Sequence, residues 1–415
     1  MKSKQIFKPL IMIMSIVLFF ALGTSVSAEK IKIGGIMDTS GATSDVGKDY
    51  ALGMVDAFNW FNDHGGINGK EIDYTWFDYG YRVPEAITKY KLLKRMRVVT
   101  IMGWGTADTE ALSPTVMQDK IPYVSASYSA HLTKPEEARY NAFFAADYST
   151  AARCALTAWY DKKWPEHKDY GKRKPRLACC YMFASPYCSA AIKAIKNQAK
   201  LLGFDIGPDQ DVSLFALDTK SQIRSLKEYK PDVVWHGNTV MSAAATIKDS
   251  HALDLNADWI LNIWAFNDKL PKLAGKAAEG AMGAAPCAEF GQKGVKNMDK
   301  VVAAAKKYHP GVDLKKRFKP TVQAWADALI VREAIKRADE KGEITGETIM
   351  KHGLETMDNF DIGLGAAPVS YSAKDHRPTS ECLVQIWKNG KFRDVERVNL
   401  KKRWPKKWEK DWLGY

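Results

Sequence analysis

Phe58-Asn59-Trp60-Phe61-Asn62-Asp63-His64-Gly65-Gly66-Ile67-Asn68-Gly69-Lys70 is the stretch whose reading decides the fold. Leading into it, Leu52, Val55, Phe58 and Phe61 recur every third residue, so Val46 to Asn62 is expected to be an amphipathic helix. Gly65-Gly66 should stop that helix, because glycine enters the left-handed backbone of a helix end without steric cost. Beyond the stop, Ile72, Tyr74 and Trp76 alternate with Asp73 and Thr75, the period of a strand. Ahead of the helix, Ile31 to Met37 is a β-rich apolar run. Strand, helix, glycine stop and strand in that order form an α/β unit with a parallel sheet.

The rhythm continues outward. Pro84 suits the first turn of a helix running to about Met96. Val98 to Met102 and Ile121 to Ser125 should be strands, with a helix at Thr109 to Gln118 between them. A second set follows. Strands are expected at Leu177 to Tyr181, Val212 to Leu217, Val233 to His236 and Trp259 to Ile263. Helices are expected at Thr150 to Tyr160, Ala190 to Leu202, Ser221 to Tyr229 and Ala243 to Leu253. Late in the chain, Met298 to Tyr308, Thr321 to Ala338 and Glu347 to Met357 read as helices. Leu383 to Trp387 and Phe392 to Val398 read as a hairpin around Asn389-Gly390. Two such runs imply two doubly wound α/β lobes.

The chain has 415 residues, 46% hydrophobic and 26% charged, which fits a globular protein with more than one core. Lys2, Lys4 and Lys8, the apolar run Leu10 to Leu22 and Val26-Ser27-Ala28 have the three-part form of a secretory signal peptide. The run is too short for an ordinary membrane span, so export with cleavage after Ala28 is favoured over an uncleaved anchor. No Cys follows Ala28, so no lipid anchor is indicated. The formal charge of +13 includes three signal lysines. Much of the remainder sits in Asp161 to Arg176 and Leu400 to Tyr415. For an exported chain these are read as a solvated loop and a basic tail rather than a nucleic-acid site. Trp404, Trp408 and Trp412 recur at helical spacing in the tail and should pack back onto the body. The six cysteines match no zinc pattern; Cys287 with Cys382 is a candidate disulfide, since both lie beside expected strand ends.

The motifs of catalysis are missing: no GxSxG, HExxH, Walker loop or GxGxxG after the first strand, and no i, i+4 histidine pair. No catalytic residue, metal or cofactor is expected.

Together, Ile31 to Met37 with Thr39-Ser40-Gly41, the GGINGK segment at Gly65 to Lys70, Asp78 with Pro84-Glu85-Ala86, Gly103-Trp104-Gly105-Thr106, Ile121-Pro122, Asp218 to Ile223 and Lys230 to Val234 resemble a known family. It is the exported solute-binding proteins of leucine/isoleucine/valine-type ABC transporters, of type I periplasmic binding protein fold. The resemblance runs from about Ile31 to Phe392. It implies a small-molecule ligand held between lobes that close about a hinge, a membrane permease as partner, a periplasmic location and a monomer. It further implies lobe one from 29–145 with 291–355, lobe two from 146–290 with 356–398, and a tail at 399–415. Alternatives are a ligand-sensing subunit of a signalling receptor and an exported enzyme using Asp147 or His236.

In doubly wound sheets, ligands bind beyond the carboxyl ends of strands, near helix N-termini whose free N–H groups suit a carboxylate. On that basis and on the resemblance, the candidate ligand residues are Ser40, Thr43, Trp104, Gly105, Thr106, Ala126, Ser127, Tyr128, Asp147, Tyr148, Tyr187, His236, Asn238 and Trp264. Thr106 and Ser127 are the expected carboxylate contacts. The rings suit a flat solute. The family's acid for an amino-acid ammonium has no counterpart from Trp264 to Asn267, with Asp268 just beyond and Asp147 as the substitute.

Overall fold

A computed structural model describes residues 30–415, so the expected signal peptide lies outside the described residues. Two sheets dominate. The first has five parallel strands in the order β2-β1-β3-β4-β5. These are β1 (Ile31–Met37), β2 (Ile72–Asp78), β3 (Thr100–Gly103), β4 (Tyr123–Ser125) and β5 (Asn141–Ala142). The second has seven in the order β12-β11-β10-β9-β8-β6-β7. These are β6 (Arg176–Tyr181), β7 (Asp205–Asp211), β8 (Val233–His236), β9 (Asp258–Leu261), β10 (Met282–Ala285), β11 (Glu381–Lys388) and β12 (Lys391–Asn399). β6 to β10 are parallel, whereas β11 and β12 add an antiparallel hairpin at one edge.

The connecting helices are α1 (Ser44–Asp63), α2 (Val83–Arg95), α3 (Thr106–Asp119), α4 (Tyr148–Lys162), α5 (Ile192–Leu201), α6 (Lys220–Tyr229) and α7 (Val240–Ala252). Two later helices, α8 (Met298–Tyr308) and α9 (Lys319–Asp339), return to pack against α1. Half of the face of α1 read from its spacing is buried: Phe58 and Phe61 are at most 4% exposed, whereas Leu52 and Val55 are half-buried and Tyr50 and Met54, both 0% exposed, take their places in the core. Burying side chains of that size stabilises by about 1.5–3 kcal/mol each. Gly65 and Gly66 both take positive φ, +90° and +64°, as a helix stop needs.

One expected strand is misplaced. The run Val212 to Leu217 is not a strand; its Val212 and Leu214 are buried while Phe215 and Leu217 stand 69% and 86% exposed. The strand is the polar segment before it, β7, which forms the sheet edge. An edge strand tolerates Pro208 and needs no apolar face on its free side, so periodicity does not reveal it.

The chain crosses between the sheets around Phe143 to Asp147, after β10, and again ahead of β11. Hydrogen bonds tie these crossovers together. Tyr371 Oη donates to the Phe143 carbonyl (2.8 Å), and Ala288 N to the Leu364 carbonyl (2.8 Å). Phe144 N donates to Asp327 Oδ1 on α9 (3.1 Å), whose other oxygen accepts from Tyr50 Oη (2.8 Å).

The candidate pair Cys287 and Cys382 is not joined. All six cysteines are free and buried, and the neighbour of Cys382 is Cys154 on α4, not Cys287. The register sets Ala285 opposite Leu383, yet the Cys382 thiol turns to Cys154. The tail is not one helix either. Pro405 divides it into α10 (Leu400–Arg403) and α11 (Pro405–Lys410), yet Trp408 and Trp412 are each buried to 4% exposure.

Candidate functional site: the cleft between the lobes

The strand orders locate the site. In the first sheet the order reverses between β1 and β3, and in the second between β6 and β8. A crevice opens outside the carboxyl ends of strands at each such reversal. The loops after Met37, Gly103, Tyr181 and His236 therefore meet across the gap, and the loop after β9 joins them.

Asp38 builds the first loop. Its carboxylate accepts from Gly41 N (2.6 Å), Thr43 N (2.9 Å) and Thr43 Oγ1 (2.7 Å). Thr43 thus does not cap its own helix. Its hydroxyl accepts from Trp104 Nε1 (2.7 Å), which locks the indole over α1. The Asp38 backbone approaches α1 so closely that a Cβ on Gly47 would sit 1.9 Å from the Asp38 carbonyl oxygen, so glycine is required there.

After β3, Gly105 brings no side-chain oxygen to the start of α3, leaving first-turn N–H groups at the crevice. A Cβ on Gly105 would lie 2.2 Å from Asp108 Oδ1 and 2.4 Å from Tyr79 Oη. Asp108 accepts from Tyr79 Oη (2.7 Å), and burial pushes its carboxyl up to about 7. Ser127 Oγ donates to Thr106 Oγ1 (2.9 Å), so the two expected carboxylate contacts form one hydroxyl pair.

From the second sheet, Trp264 enters an aromatic cluster of the first. Its ring centroid lies 5.0 Å from Trp104, 5.5 Å from Tyr128 and 6.1 Å from Tyr50. Trp264 Nε1 donates to Tyr148 Oη (3.0 Å), and Tyr148 Oη donates to the Ala126 carbonyl (3.3 Å). Tyr187 Oη reaches Asn262 Oδ1 (3.3 Å). At the rim, Asp45 Oδ2 accepts from Met241 N of α7 (3.1 Å), and Lys269 Nζ donates to the Asp45 carbonyl (2.6 Å). These bonds cross from one lobe to the other, so the cleft is closed.

A small cavity of ≈ 10 Å³ remains, lined by Thr43, Val46, Tyr81, Trp104, Gly105, Thr106, Ala126, Tyr148, Tyr187, Thr239 and Trp264. That is room for about one water. A flat solute between the Trp104 and Trp264 rings needs roughly 7 Å between them, twice an ordinary contact distance, so the lobes must part to admit it. A larger groove of ≈ 650 Å³ lies elsewhere, between Met357–Glu381 and the tail. It touches no carboxyl end of a parallel strand, so the smaller, closed cavity is the site the topology selects.

The structure thus brings together Thr43, Trp104, Gly105, Thr106, Ala126, Tyr148, Tyr187 and Trp264. Ser127 and Tyr128 stand one layer behind: Ser127 orients Thr106, and Tyr128 stacks on Trp264 while accepting from Gln323 Nε2 (3.2 Å). Four candidates are elsewhere. Ser40 is exposed, on the side of its loop nearest Gly80. Asp147 caps α4, accepting from Thr150 N (2.8 Å) and Thr150 Oγ1 (2.7 Å). His236 is buried under α7, its Nε2 3.1 Å from Thr246 Oγ1, and burial lowers its pKa to about 3. Asn238 ties loops together, accepting from Met182 N (2.9 Å) and donating to the Val212 carbonyl (2.8 Å). Asp268 is likewise occupied, accepting from Lys319 N (3.0 Å).

Sequence reasoning missed Val46, Tyr81 and Thr239. Tyr81 has φ +57°, a left-handed conformation that costs a bulky side chain about 1–3 kcal/mol and marks functional loops. Thr239 is 2% exposed, and its Oγ1 has no hydrogen-bond partner.

A sequence profile of periplasmic binding proteins matches residues 30–391. The chain belongs to the periplasmic binding protein family. The family places it outside the cytoplasm and among binding proteins rather than enzymes. A solved ABC transporter substrate-binding protein from Aeropyrum pernix is 31% identical, with TM-score 0.79 over 89% of this chain and 96% of that one. Two more distant structures, each 21% identical, share the fold. One is a branched-chain amino acid ABC transporter protein from Thermus thermophilus with bound valine (TM-score 0.82, 91% and 99% covered). The other is a fatty acid ABC transporter substrate-binding protein from Thermomonospora curvata (TM-score 0.78, 90% and 93% covered). No curated protein sequence matches the chain. As a periplasmic binding protein it has, among the described residues, no helix long and apolar enough to cross a membrane.

Proposed function

We propose that the chain is the extracytoplasmic solute-binding subunit of an ABC importer, exported by its first 28 residues and working as a monomer. Its solute is a small organic molecule without an ammonium group, either a carboxylate or a neutral polar compound with a flat or apolar body. The observation that carries this reading is the cavity lining. It contains hydroxyls, indole N–H groups and a helix N-terminus, but no charged side chain. A buried ammonium needs a paired acid; Asp147 and Asp268 have other partners, and Asp45 lies at the rim, outside the lining.

Four apolar side chains stand exposed on the second lobe: Phe183, Phe215, Leu217 and Met241, from 42% to 86%. Their loops are bonded to one another near the cleft rim, for example Ser242 Oγ to the Ser213 carbonyl (2.8 Å). Such a patch suits an apolar surface of the permease.

A thermal-shift panel of small acids, amino acids and neutral solutes tests the proposal, with Trp104→Ala as the control. A solute that raises the Tm of the wild type but not of the variant occupies the cleft. No shift from any solute, or equal shifts in both proteins, overturns the reading.

A further inference from the structure

The family profile ends at residue 391, and the chain continues for a further tail that crosses the molecule. We propose that residues 400–415 form a strap that ties the two lobes together on the hinge side and favours the closed cleft.

Three sets of contacts support it. At one end the tail grips the second lobe. Arg153 on α4 is 1% exposed; its Nη1 donates to Asn197 (2.9 Å), while Nε and Nη2 have no hydrogen-bond partner. Aromatic rings of the tail cover that guanidinium instead, Trp412 at 4.3 Å and Tyr415 at 5.4 Å. Lys193 of the second lobe lies 4.1 Å from the same Tyr415 ring. In the middle, Trp408 stacks on Arg377 of the third crossover at 3.7 Å, and Arg377 Nη1 donates to the Trp408 carbonyl (2.8 Å). Between the Trp412 and Tyr415 rings, Gly414 N donates to Thr133 Oγ1 (3.2 Å), in the segment that follows β4 of the first lobe. The Thr133 carbonyl accepts from His376 N of the same crossover (2.9 Å).

Thr133 and Arg153 sit on different lobes, so rotation about the hinge changes the distance that residues 412–415 must span. Contacts made in the closed arrangement and lost in the open one shift the balance toward closure. The tail lies beside the crossovers and contributes no residue to the cavity lining, so it acts without meeting the solute.

The test uses the ligand-free protein with Leu413–Tyr415 deleted, and separately the full chain carrying Thr133→Val. Small-angle scattering reads the lobe arrangement, and amide hydrogen exchange at the start of α3 reads cleft protection. The strap predicts a larger radius of gyration and severalfold faster exchange at α3 in the deletion, with a smaller shift the same way in Thr133→Val. A lower Tm with unchanged radius and unchanged exchange would make the tail a mere fold stabiliser and overturn the proposal. Thr133→Val leaves the chain at full length, so the question stays answerable even if the deletion impairs folding.

Discussion

Replacing Trp264 by alanine should open the cleft while leaving both lobes folded. Trp264 is 3% exposed, and it stands among three rings of the other lobe at centroid distances of 5.0, 5.5 and 6.1 Å. A buried tryptophan hides about 200 Å², worth about 5 kcal/mol at 25 cal/mol per Å². Roughly half of that area faces its own lobe and is kept when the lobes separate. The interlobe share is then about 2.5 kcal/mol, and the Tyr148 hydrogen bond adds about 0.5–1.5 kcal/mol. A loss near 3 kcal/mol from the closed state alone shifts the closed-to-open ratio by about 150-fold. Scattering on the ligand-free protein should show the larger radius of an open molecule, and solute affinity should fall because one stacking ring is lost. Denaturant unfolding of the lobes should change far less than the 3–5 kcal/mol typical of removing a core aromatic. A full core-sized loss of stability with an unchanged radius would refute the reasoning, because Trp264 would then be ordinary core.

Gly105→Ala forces a Cβ into Asp108 and Tyr79 and should cost about 1–3 kcal/mol and most of the solute affinity; wild-type melting and binding would sink the account of this turn. Asp108 titrates at about 7 in the fold against 3.8 free, so from pH 4 to 7 the unfolded chain has released a proton that the folded chain keeps. Its contribution to stability therefore falls as pH rises through that window, on the order of 4 kcal/mol by pH 7. Asp108→Asn keeps an acceptor for Tyr79, and urea unfolding at pH 4.5 and 7 should show a shallower decline than the wild type; parallel declines would rule out the buried acid. Phe215→Asp combined with Leu217→Asp should leave solute binding intact and reduce uptake in a transport assay, and normal uptake would remove this patch from permease docking.

How much was legible depends on what each residue answers to. Gly65-Gly66, Pro84 and Asn389-Gly390 obey local backbone rules, and the structure has each in its expected role, with Asn389 and Gly390 at φ +53° and +73°. Strand-end loops followed from the α/β rhythm and the family resemblance, which is why Thr43, Trp104, Thr106 and Trp264 were named as candidates. Asp147, His236 and Asn238 lie at strand or helix ends too, but their side chains turn to the nearest backbone or hydroxyl partner. Sequence gives position at a loop and not the direction of a side chain. Tyr81 and Thr239 were missed for the opposite reason: neither has a composition signal, and only the backbone angle of one and the unpaired hydroxyl of the other single them out.

The central claim is that the cleft holds a solute without an ammonium group. Titration calorimetry with matched pairs tests it most directly: valine against 3-methylbutanoate, and phenylalanine against 3-phenylpropanoate. Each pair differs by the amino group alone. The uncharged lining predicts that an acid binds more tightly than its amino-acid partner, with binding lost in Trp104→Ala. Tight binding of an amino acid, lost in Asp45→Asn, would contradict the claim and give the ammonium to Asp45, whose Oδ1 lies buried without a partner at the cleft rim.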